Sequence, residues 1–66
     1  MAGEETFREE DEVEAADDSL PGVPPGTPGT VVEVTGLSWI RYRVQFANGR
    51  EYNLVDAKHL RRRREQ

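Results

Sequence analysis

Trp39-Ile40-Arg41-Tyr42-Arg43-Val44-Gln45-Phe46 alternates without a break: Ile40, Tyr42, Val44 and Phe46 fall on one side, Trp39, Arg41, Arg43 and Gln45 on the other. Strict period-two alternation is the pattern of a strand with one face buried and one in water. Ala47-Asn48-Gly49 follows as a turn, and Arg50 to Val55 reads as the returning strand. Burial decides the register. A two-residue Asn48-Gly49 loop sets Phe46 against Glu51 and Val44 against Asn53. A three-residue loop instead pairs Val44 with Tyr52 and Tyr42 with Leu54, leaving Gln45–Glu51 and Arg43–Asn53 outward. A one-residue slip turns every side chain to the wrong face, so the second register is expected. Gly49 suits it, because a three-residue hairpin loop ends in the left-handed region that glycine enters at no steric cost.

Working outward, Thr30-Val31-Val32-Glu33-Val34-Thr35 is a short β-branched run and reads as a strand, with Gly36-Leu37-Ser38 as the break after it. Beyond the hairpin, Asp56 is placed to cap a single helical turn through Lys58 and His59, and Leu60 to Arg63 forms a closing strand. The expected core is Val32, Val34, Ile40, Tyr42, Val44, Tyr52, Leu54 and Leu60, with Phe46 near one end. That is thin for ordering about thirty-five residues at ~1–2 kcal/mol of backbone entropy each. Closure into a barrel helps by removing edges.

The rest of the chain differs in character. Residues 20–29, Leu-Pro-Gly-Val-Pro-Pro-Gly-Thr-Pro-Gly, forbid a helix and any central paired strand, and are expected to be a linker. Residues 1–19 are expected to be a solvated acidic tail, with only Phe7 and Val13 as sizeable apolar groups. Thr6 with Glu9 matches a capping box, which offers a transient helix as the alternative. Residues 1–30 hold nine acids against one base, a net −8, and residues 31–66 hold four acids against eight bases, a net +4. A further reading of that split folds the acidic arm back to screen the basic domain of residues 30–64.

The 66-residue chain leaves room for one small domain, and with no cysteine it has neither a disulfide framework nor a thiolate metal site. No apolar run approaches the ~18 residues a membrane helix needs, and the acidic start lacks an apolar signal core. A cytoplasmic location without membrane attachment is therefore expected.

Gly29-Thr30-Val31-Val32-Glu33-Val34, the strand ending in Val44-Gln45-Phe46, the glycine turn and Asp56-Ala57-Lys58-His59-Leu60 together resemble the small bacterial SH3-like barrels. Similar barrels occur in KOW-type and Tudor-like modules and in the PsaE-type subunit of photosystem I. The nearest likeness is to short stand-alone modules with the Gly-Thr-Val-Val-Glu-Val opening. The resemblance covers roughly residues 28–63. It implies an all-β fold: an SH3-like barrel of four or five antiparallel strands, with one short helical turn before the last strand.

Catalytic chemistry is not expected. Ser19 and Ser38 have only His59 as a base, no glycine-rich loop opens a helix, and His59 has no second histidine or cysteine with which to hold a metal. No catalytic residue, cofactor, metal site or small-molecule substrate is assigned. The candidate partner-binding residues are Trp39, Arg41, Arg43 and Arg50 around the outward strand face, with the run Arg61, Arg62, Arg63 and Arg64. Tryptophan and arginine dominate interface hot spots, and arginine forks onto carboxylate or phosphate. The bland alternative has Trp39 plugging the barrel and the terminal arginines keeping an edge strand soluble. Three functions remain open: a non-enzymatic protein-binding module acting as an accessory or regulatory subunit, a KOW-like nucleic-acid-binding module of ribosome or polymerase, and an architectural small subunit of a larger enzyme. Overall acidity favours the first, because an anionic protein meets repulsion near nucleic acid.

Overall fold

The structure is a computed structural model that describes residues 6–63. Five antiparallel strands form one sheet: β1 (Glu12–Ala15), β2 (Pro28–Thr35), β3 (Arg41–Phe46), β4 (Glu51–Asp56) and β5 (Leu60–Arg62), with a 3-10 turn (Ala57–His59) between the last two. The spatial order is β4-β3-β2-β1-β5. The two edge strands are thus consecutive in sequence. In a flat sheet they would stand four strand spacings apart, roughly 19 Å at ~4.8 Å each. A three-residue 3-10 turn rises only about 6 Å. The sheet must therefore curl until its edges approach, which makes the fold barrel-like.

The β3–β4 hairpin follows the expected register at the turn, with Val44 opposite Tyr52 and Gln45 opposite Glu51. Gly49 has φ +92°, and its N–H donates to the Phe46 carbonyl at 3.0 Å. Further along the register departs from expectation: Tyr42 pairs with Val55, not Leu54. One extra residue in β4 opposite Arg43 makes a β-bulge. Leu54 takes φ +58° and is 63% exposed, while Val55 goes into the core. A second bulge lies across β3 in β2, between Val31 and Glu33. Val31 is buried and Val32 is 39% exposed, so the expected core positions Val32 and Leu54 both give way to a neighbour. The spacing explains this. Val31 and Val34, like Tyr52 and Val55, sit three apart, and two such residues face the same side only if one residue between them is extra.

The larger correction concerns residues 1–29. The expected tail contributes strand β1, which pairs with β2 on one side and β5 on the other. Val13 and Ala15 are fully buried, and Glu12 and Glu14 point outward. The expected linker is built into the fold as well. Pro28 opens the central strand β2 opposite Glu14, and Val23 is buried in the core. Pro28 has no N–H to lose from the ladder, and its carbonyl accepts from Ala47 N–H at 2.8 Å. Of the buried hydrophobic residues, Phe7, Val13, Ala15 and Val23 all come from this stretch. Residues 1–5 of the expected tail lie outside the described residues.

These additions seal the barrel at both ends. At one end the Phe7 N–H donates to the Tyr42 hydroxyl at 3.1 Å, and the two rings meet edge to face at 5.5 Å. The Arg62 guanidinium lies 5.3 Å over the outer face of Phe7. At the other end the loop before β2 is tied down by Asn48 Nδ2 donating to the Gly22 carbonyl at 2.8 Å and by the Tyr52 hydroxyl donating to the Pro21 carbonyl. Gly29 is also explained: a Cβ there would approach Phe46 Cδ1 to 2.8 Å, so the missing side chain is where the phenyl ring lies.

Candidate functional site

The outward side chains of β3 are held by what surrounds them. Arg43 Nε donates to Asn53 Oδ1 at 2.7 Å, and its guanidinium lies 3.7 Å from Glu33 and 3.6 Å from Glu51. Its charge is shared out across β2, β3 and β4. Arg50 sits at the opposite end of the barrel, against Gly22, where an added Cβ would come within 2.7 Å of Arg50 Nε.

The basic end of the chain is likewise engaged. Arg61 bonds Glu14 across the β1–β5 pair, at 2.5 Å. Arg62 reaches Asp11 at 3.4 Å and donates to the Thr6 carbonyl at 3.2 Å. His59 Nδ1 lies 3.1 Å from Asp17. The Asp17 carboxyl is held below its ordinary range, first by the bond with His59 and then by the Ser19 N–H. Asp11 is lowered too, chiefly by the Arg8 backbone N–H, with Arg62 adding to it. The acids in and beside β1 and the bases in and beside β5 form a seam of paired charge along these two strands. They are not a detachable arm over a basic surface, because Val13 and Ala15 on the same strand are fully buried. Arg63 is exposed, and Arg64 lies outside the described residues.

Trp39 and Arg41 are arranged differently. Gly36 (φ +102°) makes a tight turn after β2, in which a Cβ would collide with the Trp39 carbonyl. The loop carries Leu37, 97% exposed, and Trp39, 62% exposed. Trp39 is therefore a surface residue, and the plug positions belong to Phe7 and Val23. The Arg41 guanidinium stacks 3.9 Å from the centre of the indole. Asp56, the register partner of Arg41, accepts the indole N–H through Oδ2 at 3.3 Å. That corrects the expected capping role: Asp56 stands at the N-terminus of the 3-10 turn but makes no side-chain cap. Among the described residues, Arg41 has no carboxylate within ion-pair distance, in contrast to Arg43, Arg61 and Arg62.

Leu54, two residues before Asp56 in β4, forms one wall of a groove of about 280 Å³ shared with Glu33, Thr35, Arg43 and Asn53. Leu37, Val32 and Leu54 carry most of the exposed apolar surface other than Trp39, and none was singled out from the sequence as a surface residue. The available signals were slight: Leu37 sits in a glycine-serine break with nothing to alternate against, and Leu54-Val55 is an adjacent apolar pair of which only one member can face inward.

Among the described residues no three His, Cys, Asp or Glu side chains are grouped to hold a metal ion, and no helix is long and apolar enough to cross a membrane. No protein-family model, no curated protein and no solved structure matches the chain.

Proposed function

We propose that the chain is a non-enzymatic protein-binding module of SH3-like barrel type, acting as a small accessory or regulatory subunit through the Trp39 end of its sheet. The strand order, with edge strands joined by a single 3-10 turn, supports the SH3-like reading. One observation carries the functional reading: the exposed Trp39 holds Arg41, which has no carboxylate partner among the described residues, on a sheet face that also exposes Leu54, while Arg43, Arg61 and Arg62 are paired. Monomeric proteins seldom leave large apolar groups together in water, and tryptophan and arginine are favoured anchors of interfaces. The acids beside Arg61 and Arg62 offset part of the positive charge that a phosphate backbone would need, which favours the protein-binding reading over the nucleic-acid one.

The test is retention of protein from native lysate on the immobilised full chain, with and without nuclease, beside Trp39→Ala. A protein retained by the wild type, insensitive to nuclease and lost with the variant is the expected result. Retention that disappears on nuclease treatment, or that ignores Trp39→Ala, overturns the proposal.

A further inference from the structure

The two β-bulges lie on either side of one β3 residue. Val32 is the extra residue of β2, and the extra residue of β4 falls at Asn53-Leu54; both stand beside Arg43. Bulges re-aim side chains, and here each turns an apolar one into water: Val32 at 39% exposure and Leu54 at 63%. The second is obtained at a cost. A leucine in the left-handed region is strained by about 1–2 kcal/mol, and strain of this kind collects at binding sites. An inward Leu54 would have relieved both the strain and the exposure.

The polar surroundings are specific as well. Arg43 is locked by Asn53, Glu33 and Glu51, so it forms a fixed floor and needs no outside charge. Arg41 is different. Its guanidinium lies 3.9 Å over the indole, and Asp56, its register partner, is turned to the Trp39 N–H instead. With no carboxylate within ion-pair distance among the described residues, its N–H donors are left to fork one from outside. Leu54 and the groove beside it supply an apolar seat next to that fork.

Resting on the protein-binding reading, we infer that the outward face of β3 and β4 that carries Leu54, Arg41 and the Trp39 indole docks an extended protein segment that presents an apolar side chain next to a carboxylate. The carboxylate meets Arg41 against the indole, and the apolar group covers Leu54. Glu33, Glu51 and Asp56 on the same face repel a second acid, so one carboxylate beside the apolar anchor is favoured over an acidic run.

The probes are short fluorescent peptides with a leucine pair followed by one aspartate, the same peptide with lysine for aspartate, and the same with serine for both leucines, titrated by anisotropy against the full chain. The leucine–aspartate peptide is expected to bind, and the other two to bind at least about tenfold more weakly, the factor equivalent to ~1.4 kcal/mol. Arg41→Gln and Leu54→Asn should each weaken it by about tenfold. Asparagine tolerates the left-handed backbone, so Leu54→Asn keeps the fold, and Arg61→Gln on the far seam should leave binding unchanged. In 15N spectra the Trp39 indole N–H should shift on titration. Equal or tighter binding of the lysine peptide, equal weakening by Arg61→Gln, or self-association of the chain that Leu54→Asn abolishes each overturns the inference. If no peptide binds but a lysate protein is still lost with Trp39→Ala, the partner chemistry fails and the module reading stands. If both fail, both readings fall.

Discussion

The β1–β5 seam and the β3–β4 hairpin divide the molecule's charge in opposite ways. Along the seam, acids face bases: Glu14 meets Arg61, Asp11 meets Arg62, Asp17 meets His59, and the apolar residues of β1 are sealed inside. At the Trp39 end of the hairpin, apolar groups lie in water and Arg41 rests on an indole, with no carboxylate at ion-pair distance among the described residues. The contrast shows that the number of basic residues does not locate an interface. Of the longest arginine run in the chain, Arg61 and Arg62 are engaged in the seam and serve the fold, whereas Arg41, elsewhere, rests on an indole instead of an acid.

The sharpest way to break this comparison is to place one charge in each region. Val13→Asp buries a carboxylate in the middle of the sheet and should cost roughly 3–5 kcal/mol, the penalty for an unpaired buried charge. A domain of this size is stable by only ~3–10 kcal/mol, so the cooperative thermal transition followed by circular dichroism should be lost or shifted far down. Leu54→Asp should leave that transition almost in place. Survival of the fold with Val13→Asp would mean that β1 is dispensable and the seam is an ornament.

Next in size is Gly29→Ala, expected to lower stability by about 1–3 kcal/mol in urea unfolding through overpacking against Phe46. Smaller and opposite in sign is Leu54→Asn. Relief of the left-handed leucine should raise the urea midpoint by an amount equivalent to about 1 kcal/mol, while the docking described above weakens. A variant that is more stable and binds less would sharpen the distinction between the two regions, whereas destabilisation would place Leu54 with the core.

Acid titration addresses the seam directly. The folded carboxyls of Asp17 and Asp11 lie below their ordinary value. Their contribution is therefore fully present above the unfolded pKa of about 3.9 and is lost as pH falls through the depressed folded values. Thermal melts taken downward from neutral pH should decline in that acid window, and the decline should be shallower for Asp17→Asn. The smallest effect is expected for Arg61→Gln, about 0.2–1 kcal/mol for an ion pair with an exposed arginine; a larger loss in the urea midpoint would show the seam to be stronger than its exposure implies.

The alternation from Ile40 to Phe46 was legible because every second residue is apolar over a full strand, and the Ala47-Asn48-Gly49 turn with its Val44–Tyr52 pairing came with it. Strand β1 carries the same alternation in Glu12-Val13-Glu14-Ala15, but four residues with two acids do not outweigh the repulsion of the acids around them. Only the facing Arg61 and Arg62 remove that repulsion, and they lie some fifty positions away. Arg41 could be placed on the outward side of β3 from the sequence, whereas Trp39 was open between that surface and a plug of the barrel until the structure showed it exposed. Leu54 could not be placed outward, since its exposure depends on which of two adjacent apolar residues the bulge turns inward.

Sequence alone therefore determined what local periodicity and turn chemistry control: an all-β chain, its hairpin and loop, the helical turn before a last strand, and the outward side of β3. Tertiary structure decided what depends on partners distant in the chain: the central place of β1, the closing of both barrel ends by Phe7 and Val23, the two bulges, and which arginines are already bound. The physical reason is that side-chain alternation is set by neighbouring residues, whereas burial and charge pairing are settled only when remote strands meet.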